Sequence, residues 1–170
     1  MDMAPSEKEL RALIVKMIPE WAEDSLLGFH YLDGGFTNDN FVFERRYRNL
    51  TKKYVLRSPV RAQPLQNRAD ELSIYQSLAG NISPELIAFD TNSGAMITRY
   101  ADGELLVDYP PIYHEPDKLV RYLKTLHNVL PRTEKCYDLS SLMSAYVPEF
   151  NARDFPEIRK LEQEVSCHND

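Results

Sequence analysis

The chain has 170 residues, with 20 Lys or Arg against 26 Asp or Glu, a net charge of −6, and it is 43% hydrophobic and 27% charged. These are globular proportions, and they exclude a disordered tail, a collagen-like repeat and a disulfide-stapled miniprotein. They also argue against binding bulk nucleic acid, which needs a concentrated basic surface, and the length suits one domain with a real core.

The first element is a marked helix. Ser6 and Glu9 fit a capping box, and Leu10, Leu13, Ile14, Met17 and Ile18 repeat on one face until Pro19 stops the run. Extended patterns follow at residues 28–33, 40–47 and 53–57, separated by Gly34-Gly35 with Thr37-Asn38 and by a polar turn at 48–51. Three short strands joined by turns predict an antiparallel meander. Residues 66–79 return to helical spacing, with Gly80-Asn81 as the stop. Two further strands are expected at 85–89 and 95–100, around a turn at 90–94.

Beyond Asp102-Gly103 the texture becomes helical, with helices expected at 117–130 (Asp117 as cap), 139–146 and 156–165. No internal repeat is present. The resulting expectation is an α+β fold, an antiparallel sheet of about five strands followed by helices. Residues 1–100 read as one lobe and 101–170 as the start of a second. Cys136 and Cys167 form no CxxC pair, no apolar run reaches the roughly 18–20 residues of a membrane span, and the N-terminus lacks the order of a signal peptide. A cytoplasmic protein with no membrane partner is the expectation.

Four features carry candidate chemistry. Residues 32–40 (LDGGFTNDN) place glycines between two strands, where backbone amides can cradle an anion and Thr37 and Asn38 can add donors. The same residues also fit an ordinary hairpin turn. Arg57 ends an apolar strand, and Glu71 sits on the next helix in line with Tyr75 and Leu78. A half-buried carboxylate needs a cation: either Arg68 in a local i−3 pair, or Arg57, whose guanidinium Glu71 would then aim at a phosphate. His127 lies on the apolar side of its helix with Val120 and Leu123 and reads as a core histidine, since no metal-ligand spacing surrounds it. The end, Cys167-His168-Asn169-Asp170, reads by itself as a frayed terminus.

Taken in order, LDGGFTNDN (32–40), YVLR (54–57), NRADE (67–71), PELIAFD (84–90), GAMITRY (94–100), LKTLH (123–127) and HND (168–170) resemble the choline kinase branch of the aminoglycoside-phosphotransferase-like kinases, which have a protein-kinase-like fold. The TNxN and NRxxE elements are most similar to the bacterial choline kinases. The resemblance implies a nucleotide-binding lobe, with Gly34, Gly35, Thr37 and Asn38 looped over the phosphates of ATP. Arg57 would stand where protein kinases carry the phosphate-contacting lysine, with Glu71 as its ion-pair partner. Thr98, Arg99, Tyr100 and Ala101 would be the hinge that offers backbone groups to adenine. Asp170 would be the catalytic aspartate that takes the proton of a small alcohol, most simply choline, and His168 would be structural.

Two departures stand out. Ser58-Pro59-Val60 follows Arg57 where relatives often carry Pro-Gly. The ligands for Mg2+ would lie after Asp170, so none is expected in these residues, and the 170-residue chain by itself is expected to be inactive. Two other readings stand beside choline phosphorylation. One is a non-catalytic nucleotide- or partner-binding module, and the other a kinase for ethanolamine, thiamine or an aminoglycoside.

Overall fold

The computed structural model describes residues 5–33, 38–59, 67–78, 82–103 and 116–131. All of these but Asn67 belong to one compact unit, Met1–Arg61 with Arg68–Pro131; the other unit, Ala62–Asn67 with Arg132–Asp170, otherwise lies outside the described residues.

Helix α1 (Glu7–Met17) starts on the expected capping box. The Ser6 amide and hydroxyl donate to Glu9 Oε2, each at 2.7 Å, and the Glu9 amide donates back to Ser6 Oγ at 3.4 Å. The Ser6 hydroxyl foremost, and its amide, hold the Glu9 carboxyl below its ordinary pKa by donating to it. Ile18 is the C-cap, because the ring of Pro19 disfavours a helical residue before it. Leu10 and Ile14 are 2% and 0% exposed, so the stripe read from spacing is the buried one. Arg11, on the flank, donates to the carbonyls of Glu23 and Leu26 and lies over the Phe29 ring, tying the helix to the first strand.

Five strands form one antiparallel sheet: β1 (Leu26–Leu32), β2 (Asn38–Tyr47), β3 (Leu50–Pro59), β4 (Leu86–Phe89) and β5 (Met96–Arg99), in the order β1-β2-β3-β5-β4. Strands β2 and β3 pair continuously from Asn38↔Pro59 to Tyr47↔Leu50. The expected turn at 48–51 therefore shrinks to Arg48-Asn49, because Leu50 and Thr51 pair with Tyr47 and Arg46. Strand β1 bulges between Leu27 and His30, where Gly28 adopts φ 61°, a conformation that costs glycine little.

Side chains alternate across a strand. Phe41, Phe43, Tyr54, Leu56 and Ile97 therefore share one face with α1 and Trp21, forming the hydrophobic core. Phe43, Leu56 and Ile97 are completely buried, each contributing about 1.5–3 kcal/mol. Trp21 packs against Phe43 and Tyr54, with ring centroids 6.3 and 4.9 Å away.

The opposite face carries Val42, Val55, Arg57, Met96 and Thr98, and α2 (Arg68–Leu78) approaches it. Helix α3 (Pro116–Val129) begins at Pro116, so Asp117 lies in its first turn and is not the cap. Proline tolerates that first position because its missing N–H has no helical acceptor there. Tyr122 of α3 donates its hydroxyl to the Ile82 carbonyl at 3.1 Å.

His127 is exposed, contrary to its reading as a core histidine. Its neighbours on the helix, Val120 and Leu123, are 45% and 41% exposed. Amphipathic spacing marks a face able to pack, and no described element covers that face. The expected helices at 139–146 and 156–165 lie outside the described residues.

Candidate functional site

Arg57 is the third residue from the end of β3, in register with Asn40 on β2 and Met96 on β5. Its neighbours in the chain explain its direction. Leu56 points into the core, so Arg57 points to the other face, toward α2. There its Nη1 meets Glu71 Oε1 at 2.7 Å. The second carboxylate oxygen, Oε2, meets Arg68 Nη1 at 2.7 Å. The local pair and the long-range pair, which the sequence offered as alternatives, are formed together. All three side chains are 12–15% exposed, so water screens these charges only partly.

Arg57 is held from other directions as well. Its Nη2 donates to the Gly94 carbonyl at 2.9 Å, and Nη1 reaches Tyr75 Oη at 3.5 Å. Its guanidinium carbon lies 5.7 Å from the Tyr75 ring centroid and 5.8 Å from that of Phe89, distances at which a cation is attracted by the ring faces. Arg57 Nε is buried and has no hydrogen-bond partner among the described residues. A buried guanidinium with a donor to spare is suited to an anion.

Gly94 closes the turn that joins β4 to β5. Its amide donates to the Asp90 carbonyl at 2.7 Å, and the Asp90 amide donates to the Ala95 carbonyl at 2.9 Å. The Asp90 carboxylate accepts from the Ser93 hydroxyl at 2.6 Å and the Asn92 amide at 3.0 Å, and these bonds, the hydroxyl's foremost, lower its pKa.

A second row crosses the same face one step along the strands. Val42, Val55, Thr98 and Leu86 are in register across four strands. Val42 and Val55 are half-buried and Thr98 is 8% exposed. The row is a mostly apolar strip two residues along the strands from Arg57, and β5 runs on from its Thr98 to residues 100–101. Sequence reasoning passed over Val42 and Val55, although a position two residues before Arg57 on a strand must share its face.

The four hinge candidates divide. Thr98 and Arg99 are inside β5, and the Arg99 amide donates to the Glu85 carbonyl at 2.8 Å. The Tyr100 amide donates to the Lys53 carbonyl at 3.1 Å. The side chain of Arg99 serves structure: it pairs with Glu85 at 3.0 Å and lies over the Tyr54 ring. Ala101 lies past the strand and is exposed. Asn38 begins β2 opposite Pro59. Gly34, Gly35, Thr37, His168 and Asp170 lie outside the described residues.

Among the described residues no cluster of three or more His, Cys, Asp or Glu could hold a metal ion. No helix among them is long and apolar enough to cross a membrane.

No family model matches the sequence, and no curated protein matches it. Among solved structures the chain is similar to a choline/ethanolamine kinase family protein from Mesorhizobium loti, with a TM-score of 0.50 and 20% identity over 91% of this chain and 51% of that one. It is also similar to choline kinase from Cryptosporidium parvum Iowa II, with a TM-score of 0.55 and 15% identity over 94% of this chain and 50% of that one. The chain spans about half the length of these two proteins. At such identities the likeness is one of architecture, and the α+β fold with its five-stranded antiparallel sheet is a choline kinase-like fold.

Proposed function

We propose that this chain supplies the nucleotide-binding lobe of an ATP-dependent phosphotransferase acting on a small alcohol, with choline the first acceptor and ethanolamine the second. The observation that carries this reading is the Arg57–Glu71 ion pair at 2.7 Å, set between a sheet and a helix in a choline kinase-like fold. Phosphoryl transfer asks chiefly for positioning and for neutralisation of phosphate charge. An oriented guanidinium beside an apolar strip serves both needs.

In this reading the adenine ring lies along Val42 and Val55, and the backbone from the Tyr100 carbonyl to Ala101 meets its polar edge. The amides of Arg99 and Tyr100 are already committed to Glu85 and Lys53, which is why the hinge contacts start there. Arg57 contacts the phosphates, Glu71 aims it, and Gly34, Gly35, Thr37 and Asn38 close over them. Asp170 accepts the proton of the acceptor hydroxyl, Mg2+ accompanies ATP, and the lobe boundary falls near residue 101.

Calorimetric titration of ATP into the chain tests the nucleotide half of the proposal, and an ADP-release assay on the full gene product with choline or ethanolamine tests the rest. ATP binding that Glu71→Gln weakens at least about tenfold is the expected result. In the full gene product, Asp170→Asn should lower kcat by about 100-fold or more. Absence of ATP binding, or equal binding by Glu71→Gln, would overturn the reading.

A further inference from the structure

We infer that Arg68 and Gly94 together form a latch that positions Glu71 for Arg57, a role that rests on the nucleotide-binding reading of Arg57. Gly94 adopts φ 78°, and its Cα face is covered by a guanidinium. A Cβ at this position would collide with Arg68 Cζ and stand 2.5 Å from Nε and 2.7 Å from Nη1. The same residue offers its carbonyl to Arg57 at 2.9 Å. Both arginines are thus referenced to one glycine in a turn that Asp90 holds with three hydrogen bonds through its own backbone and carboxylate to Gly94, Asn92 and Ser93. Glu71 bridges the two arginines from the helix side, one oxygen to each.

Two consequences follow from this geometry. The first concerns direction. A glutamate with a single arginine partner swivels about its last torsion, which is broad for a carboxylate. With Arg68 fixed over Gly94 and bound to Oε2, Oε1 is left facing Arg57. The second concerns charge. The two arginines and one carboxylate carry a net charge of plus one. Without Arg68, Glu71 would cancel Arg57 and weaken its attraction for an anionic phosphate. Arg68 therefore acts through Glu71 as a positioning residue, and glycine at 94 is what lets it lie flat.

A double-mutant cycle tests the latch, read by ATP affinity of the chain and by urea unfolding. Arg68→Ala should weaken ATP binding about five- to tenfold, and Arg68→Lys, which keeps the charge and one donor, should recover most of that loss. Gly94→Ala should be damaging in the wild-type background and milder beside Arg68→Ala, because the guanidinium it displaces is then gone. In the full gene product the KM for ATP should rise with kcat nearly unchanged, the pattern of lost uniform binding. Unimpaired ATP affinity in Arg68→Ala, or independent effects of the two substitutions in a protein that binds ATP, would overturn the latch alone. Failure of the wild type to bind ATP would overturn the kinase reading and, with it, the positioning role, even where the unfolding cycle still shows coupling.

Discussion

Helices α1 and α2 attach to opposite faces of one sheet by different physics. Helix α1 buries Leu10 and Ile14 against Trp21, Phe43 and Leu56, and its orientation is set by apolar area. Helix α2 has no buried residue, and it meets the sheet through the Arg57–Glu71 ion pair, the contact of Arg68 with Gly94 and the approach of Tyr75 to Phe89, 6.5 Å between centroids, while the Arg68–Glu71 pair lies within the helix itself. Apolar attachment is strong and tolerant of small shifts. Ionic attachment adds little net stability, because desolvation offsets much of the attraction, yet it fixes which atoms face each other. The difference assigns α1 to stability and α2 to the placement of Arg57.

The largest expected effect falls on the apolar side. Ile14→Ala should lower the unfolding free energy by about 2–5 kcal/mol in urea titration, the cost of lost transfer energy plus a cavity. Where the variant is folded, its ATP affinity should match wild type. A loss below about 1 kcal/mol would break the contrast between the helices.

Glu71→Gln comes next. It leaves two arginines facing each other without a counter-charge, and about 1–3 kcal/mol of stability should go. The effect on ATP affinity should exceed what that stability loss alone explains. A variant destabilised as much as Ile14→Ala would show that α2 is held by this carboxylate more than by its surroundings.

A triple replacement, Arg57→Met with Arg68→Leu and Glu71→Met, sharpens the comparison from the other direction. Exchanging a mostly buried ion triad for apolar groups of similar size is often neutral or stabilising. Stability within about 1 kcal/mol of wild type, with ATP binding abolished, is the expected result. A severe loss of stability would mean that the charges hold the fold as well as the site.

The smallest effect concerns the turn beneath the triad. The folded pKa of Asp90 is lowered by its hydrogen bonds to Ser93 and Asn92. Its contribution is therefore complete above the unfolded pKa of about 3.9 and is lost as pH falls through the lower folded value. Asp90→Asn should reduce the acid-induced drop in melting temperature in that window. Identical profiles for variant and wild type would remove Asp90 from the account.

The one amphipathic pattern that misled shows how far sequence periodicity reaches. Helix α3 carries a stripe as clear as that of α1, and its spacing predicts a core position for His127. Val120, Leu123 and His127 are exposed. Spacing identifies a face able to pack and says nothing of what meets it. Strand boundaries erred in the same way. Leu50 and Thr51 look like turn residues locally, and their place in β3 depends on Tyr47 and Arg46 across the hairpin.

What the sequence determined by itself was local: the capping box at Ser6, the stop at Pro19, the period-two strands, the turn at 90–94 and the carboxylate at Glu71 that needed a cation. Each is governed by residues within about four positions, where chain geometry leaves few choices. Tertiary structure decided what met across the sheet. Glu71 took both arginines where the spacing offered either, since Arg57 lies 14 residues away in the chain and only the packing of α2 on β3 brings it to 2.7 Å. The seat of Arg68 on Gly94 could not be read from the chain at all. Steric exclusion between an arginine and a glycine 26 positions later exists only once β4 and β5 are folded beside α2.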